Sequence, residues 1–132
     1  MAIAVDARDA APQLAKMGLS EKQVTDKLIE VLEAADIEVD NRIEDTTVMV
    51  RIREAVDVDT PDAIAFNVTA SLWQRVHVER LDQTLDVPTY HYTVVALFPR
   101  TAAAQMVKPG VRLAVGSMLA QMEHAKRAPG RK

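Results

Sequence analysis

A chain of 132 residues has room for one domain with a sizeable core, and not for two. Apolar residues make up 48% and charged residues 27%, the balance of a globular protein rather than a disordered one, and no apolar run approaches the ~20 residues that would cross a bilayer. The net charge of −3 argues against a dedicated nucleic-acid binder, and the lack of cysteine excludes disulfides, thiolate chemistry and cysteine-ligated zinc.

The charge is uneven. Lys126, Arg127, Arg131 and Lys132 give the end of the chain +4, so residues 1–125 carry −7 of an overall −3. With Pro129 and Gly130 among them, residues 127–132 read as a disordered basic tail after a single α+β domain over 1–126; the rival reading is a short electrostatic arm for an acidic partner. The opening MAIAVDARD lacks the basic-then-apolar layout of a signal peptide. The chain is therefore expected to be either cytoplasmic or the mature segment of an exported protein whose signal Met1 replaced.

In chain order, Ala2 to Ala7 is a short candidate strand with Ile3 and Val5 on one side, and Pro12 and Gly18 mark the connection after it. Ser20 and Gln23 then form a capping box, with Leu19 placed to pack on Val24 as a hydrophobic staple. Val24, Leu28, Val31, Leu32 and Ala35 follow at helical spacing, while Glu30 and Glu33 fall on the face left to water and read as solvation rather than acid–base machinery.

Thr46 to Val56 is a strand with Val48, Val50 and Ile52 on one face and Met49, Arg51 and Arg53 on the other. The loop through Asp62 spaces Asp57, Asp59 and Asp62 in a way that invites calcium, but it lacks the turn glycine and the distant glutamate of such a site, and turn chemistry accounts for it.

Ile64 to Arg80 alternates most strictly. Ile64, Phe66, Val68, Ala70, Leu72, Val76 and Val78 hold the even positions, interrupted only by Gln74. The odd positions hold Asn67, Thr69, Ser71, Trp73, Arg75, His77 and Glu79, so a period of two gives one buried and one open face. At 3.3 Å per residue this strand would run ~55 Å, longer than usual, so a bend or bulge is expected near Gln74. Leu81 to Val87 is expected to turn and Pro88 to open the next strand, Thr89 to Phe98. Thr101 to Val107 is helix-prone, Lys108-Pro109-Gly110 interrupts it, and the last helix is expected from Pro109 to Lys126. Its methionines, Met118 and Met122, fall on the apolar stripe and read as core rather than soft-metal ligands.

The order is strand–helix–strand–strand–strand–helix. Two one-sided helices and alternating strands predict a two-layer α+β sandwich, both helices on the even face of a mainly antiparallel four-stranded sheet. A turn centred on Thr84 would set His77 opposite His91, Arg75 opposite Thr93 and Trp73 opposite Val95. The open face would then gather Trp73, Arg75, Arg51, Arg53, Val95 and Leu97 with Met49, Asn67, Thr69 and Thr93. It reads as a solvated face, as a contact surface for a second copy or another protein, or as a platform stacking a nucleic-acid base on Trp73. His77 and His91, with Glu79 nearby, are candidate metal ligands, against the reading of two surface histidines.

No glycine-rich phosphate loop, serine elbow or zinc-protease histidine spacing is present, and Ser117 lies on a core helix. No cofactor is expected. The reading is a non-enzymatic binding or assembly module, a homodimer or a partner of another protein, with a small hydrolase or metal-dependent enzyme as the alternative.

Gly18-Leu19-Ser20-Glu21, a helix ending Leu32-Glu33-Ala34-Ala35-Asp36-Ile37, then three strands and a helix together resemble small exported bacterial domains of unknown function. Such domains often carry glycine where this chain has Asp36. The resemblance implies a two-layer α+β fold and a periplasmic location, and supplies no site residues.

Overall fold

A computed structural model describes residues 1–6, 16, 19–42, 46–55, 62–99 and 101–127. The elements are β1 (Ala2–Asp6), α1 (Glu21–Ala34), β2 (Thr46–Ala55), β3 (Ala63–Val78), a single 3₁₀ turn (Glu79–Leu81), β4 (Gln83–Pro99) and α2 (Ala103–Arg127). They form an α+β fold in the expected order. The sheet runs β1-β2-β3-β4, with β1 parallel to β2 and the other neighbours antiparallel.

The even positions make the core. Val48, Val50 and Ile52 of β2, and Ile64, Phe66, Val68, Ala70 and Leu72 of β3, are buried beneath Val24, Leu28 and Leu32 of α1 and Val107, Val111, Ala114, Val115 and Met118 of α2. The first helix begins as its sequence dictates: the Gln23 N–H donates to Ser20 Oγ at 3.2 Å, and the Ser20 N–H to Gln23 Oε1 at 2.8 Å. Leu19 and Val24, the expected staple, are both buried in the core. It ends in a Schellman motif. The Ile37 N–H reaches the Leu32 carbonyl and the Asp36 N–H reaches that of Glu33, each at 3.0 Å, with Asp36 left-handed at φ 60°. Ala35, placed on the apolar stripe by spacing, is the exposed C-cap residue instead.

Two boundaries differ from expectation. The final helix starts at Ala103, and Pro109 lies inside it on the exposed side. Proline removes one backbone bond there, but Val107 and Val111 on either side are both buried, and their packing on the sheet holds the helix through the break. Gly110 sits close over β3, where an added Cβ would meet Val68 Cγ2 at 3.4 Å.

The hairpin turn is the second difference. Chain reversal occurs at Glu79–Leu81 with Asp82 left-handed at φ 47°, so Gln83 to Val87 are strand rather than turn. A β-bulge lies between Leu72 and Trp73: Leu72 pairs with Tyr90 but Trp73 with Pro88, leaving Thr89 in excess. This is the irregularity expected near Gln74. Pro88 is tolerated because β4 is an edge strand and the bulge interrupts pairing there.

The connection through Pro12 and Gly18, the Asp57–Asp59 part of the calcium spacing, and the tail from 128 onward lie outside the described residues.

Candidate interaction face

Both α1 and α2 lie on the even side, so neither covers the odd face of the sheet. Strand register lays its residues out in rows. Ala4, Met49, Ser71 and His91 form one row across β1 to β4; Asp6, Arg51, Thr69 and Thr93 form the next; Arg53, Asn67 and Val95 the third; and Ala55, Ala65 and Leu97 the fourth. Toward the hairpin the bulge changes the partners: Trp73 meets Pro88, Arg75 meets Asp86 and His77 meets Thr84.

This register overturns all three expected pairings, since Arg75 faces Asp86 while Thr93 lies opposite Thr69. His77 does not face His91, which lies opposite Ser71, six residues or ~20 Å along β3. Trp73 does not face Val95, which lies opposite Asn67, again ~20 Å away. All three expectations assumed a turn on Thr84 and unbroken pairing. The turn sits nearer Glu79–Leu81, and the bulge adds one residue to β4. His77 instead has Asp82 Oδ1 3.5 Å from its Nε2 and Thr84 Oγ1 3.4 Å from its Nδ1. Glu79 is in the 3₁₀ turn. Among the described residues no three His, Asp or Glu side chains gather in a metal-binding arrangement.

The face has two unlike regions. From Arg53 to Trp73, the side chains of Met49, Arg51, Arg53, Asn67, Thr69, Ser71 and Trp73 line a shallow depression of about 150 Å³. Several of its polar groups are tied by hydrogen bonds. Trp73 Nε1 donates to Ser71 Oγ at 3.0 Å, Thr69 Oγ1 donates to Asn67 Oδ1 at 2.9 Å, and the Thr93 hydroxyl lies 3.1 Å from that of Thr69. Arg51 Nε is 3.5 Å from Asp6 Oδ2, and Arg75 Nε is 3.3 Å from Asp86 Oδ1. These exposed pairs add little stability, but they neutralise two of the arginines within the chain.

The other region is apolar. Val95 and Leu97, neighbours on the same side of the outermost strand, are 68% and 69% exposed. The hairpin beyond the bulge is a further exposed element: burial of the even row ends at Leu72, Val76 and Val78 are half-buried, and Leu81 is exposed.

Sequence reading missed Asp86, because residues 81–87 pass for a turn when the bulge is unseen. It also missed Met106 and Leu113 on the even side. They stand exposed on α2 and, with Phe66, Val68, Val94, Val107, Pro109 and Gly110, line a groove of about 190 Å³ between that helix and the last two strands. Leu113 falls one turn before Ser117 and off the buried stripe, a signal available in the helix period.

A shifted carboxyl lies away from this face. The Arg42 guanidinium, bonded to Asp40 through Nε at 3.0 Å and Nη2 at 3.1 Å, holds the Asp40 carboxyl below its usual range; the Arg42 backbone N–H adds to the effect.

No family model matches the sequence, and no curated protein matches it either. A weak structural neighbour is a minor lipoprotein from Acinetobacter baumannii, whose crystal structure matches over 92% of this chain and 86% of its own, with 11% identity and a TM-score of 0.38. At that score the likeness assigns this chain neither a role nor a location. No described helix is long and apolar enough to cross a membrane.

Proposed function

We propose that this protein is a non-enzymatic binding or assembly module whose working surface is the odd face of the sheet, and that its partners include a second copy of itself. The observation that carries this is the pair Val95 and Leu97, both more than two-thirds exposed on the outermost strand. The core lies on the opposite side of the sheet, so neither α1 nor α2 covers them. Adjacent large apolar groups left to water favour a contact that removes them from it, at roughly 25 cal/mol per Å². The depression between Arg53 and Trp73, with Thr69 bonded to Asn67 and Trp73 to Ser71, presents a preformed floor beside that apolar end. A periplasmic setting, implied by the resemblance of the α1 region to exported domains, belongs to the same reading.

Sedimentation of wild type beside Leu97→Glu and Trp73→Glu tests it. A wild-type dimer that Leu97→Glu dissociates supports the reading, and retention of the dimer in Trp73→Glu places the contact at the apolar end. A wild type that stays monomeric, or a dimer that both variants leave intact, contradicts it. Stoichiometric zinc, copper or nickel in the native protein would favour the metal-dependent enzyme instead.

A further inference from the structure

We infer that the second copy joins along the outer edge of β4, antiparallel and about a two-fold axis, so that two four-stranded sheets become one continuous sheet with a helical layer on one side. This rests on the assembly reading above and specifies where the copies meet.

The two edges of the sheet are treated differently by the chain. The β1 edge is met by the chain itself: the Asp40 N–H donates to the Met1 carbonyl at 2.9 Å, and the Ile3 N–H to Asn41 Oδ1 at 3.1 Å. On β4, the other edge, ten residues from Thr89 to Phe98 contain no Asp, Glu, Lys or Arg. Long edges are ordinarily guarded by charge, by proline or by a covering segment. Here proline appears only at the limits, Pro88 and Pro99, and so bounds a pairing segment rather than breaking it. An uncharged strand set antiparallel to its own copy brings no like charges opposite one another.

Exposed apolar groups flank this edge on both sides of the sheet. On the odd side stand Val95 and Leu97. On the even side Leu113, 54% exposed, and Met106, 37% exposed, line the α2 groove together with Val94 of β4. α1 packs against α2 as well, and α1 is the helix that also meets β1, at the far side of the sheet. The groove therefore opens on the β4 side. A partner lying flat on the odd face would leave Leu113 and Met106 in water, and a ligand in the groove would leave Val95 and Leu97. Only a body abutting the edge covers both sets.

A second copy meets that requirement with the same residues, as a two-fold contact demands: its β4 continues the ladder, and its Leu113 and Met106 close the groove against their counterparts. Ten residues of strand span ~33 Å, and a sheet with one helical layer is ~20 Å thick, giving a contact of roughly 650 Å² on each copy, near the ~800 Å² that stable interfaces bury.

The test uses three exposed positions on the intact chain. Val95→Lys on the odd side and Leu113→Lys on the even side should each weaken the dimer about tenfold or more, as for a charge placed at an apolar anchor, while Leu81→Lys at the hairpin tip should leave it unchanged. Thermal melts of the three variants confirm that each still folds. In wild type, raising the concentration through the dimer range should slow hydrogen exchange at alternate amides between Thr89 and Phe98, those facing away from β3. A dimer broken by Val95→Lys but not by Leu113→Lys is a face-to-face dimer, which overturns the edge inference and leaves the proposed function standing. A dimer without added protection on β4 overturns it equally, and a monomeric wild type overturns both.

Discussion

Gln74, the one polar break in the apolar row of β3, lies 2.6 Å from the hydroxyl of Thr89, the residue β4 carries in excess at the bulge. The Thr89 hydroxyl donates to Gln74 Oε1, and the Leu72 carbonyl is a second acceptor 3.3 Å from it. The two residues that look irregular in the sequence thus satisfy each other in the fold. Thr89→Val should cost about 1 kcal/mol by removing the donor at nearly constant volume, and Gln74→Val combined with it should recover part of that loss. Chemical denaturation of the two singles and the double reads the coupling; strict additivity would mean that the bond does not hold the bulge.

Asp36 occupies a left-handed position that a Cβ makes costly, at the C′ site of a Schellman motif. Asp36→Gly should therefore stabilise the protein by roughly 0.5–1 kcal/mol, a net gain because relief of strain exceeds the added freedom of glycine in the unfolded chain. A thermal melt with an unchanged or lowered midpoint would count against the assigned backbone conformation.

Leu28 is fully buried and Phe66 nearly so, one in each layer. Leu28→Asp and Phe66→Asp should each cost several kcal/mol by placing an unpaired carboxylate in the core. Wild-type-like denaturation of either would show that the even face is not the buried one.

Acid should act on the Asp40–Arg42 pair in a defined sense. The pair holds the Asp40 carboxyl below its ordinary value of 3.8, so its contribution is present above that pH and lost as pH falls through the lowered value. Arg42→Ala should raise the Asp40 titration midpoint toward the ordinary value, which a carboxyl-carbon NMR titration reads directly. An unmoved midpoint would mean the pair does not form in solution.

The fold was legible because its signals are local and redundant. Alternation from Ile64 to Leu72 is unbroken, and Ser20 with Gln23 marks the helix start by side-chain chemistry alone. Residue pairing across β3 and β4 was not legible, for a physical reason. Register depends on where the chain reverses and on how many residues each strand uses between fixed points. Asp82 adopts a left-handed turn without being glycine, and Thr89 is absorbed without any glycine or strand break to mark it. A shift of that size leaves the members of the odd face on their side but changes their neighbours, which is why Trp73 and Val95 belong to the same surface and not to the same patch. Pro109 misled for a related reason: buried valines on both sides outweigh the local preference of Lys108-Pro109-Gly110 to stop a helix.

The central claim, self-association at the β4 side of the sheet, can be tested with one label. The chain contains no cysteine, so His91→Cys offers a unique attachment point at an exposed position on the odd face of β4. Paired edge strands lie ~4.8 Å apart, so spin labels at this site on two copies should fall within about 30 Å of one another and give a clear dipolar coupling at micromolar concentration. Absence of any coupling between copies, with the labelled protein folded, would contradict the account.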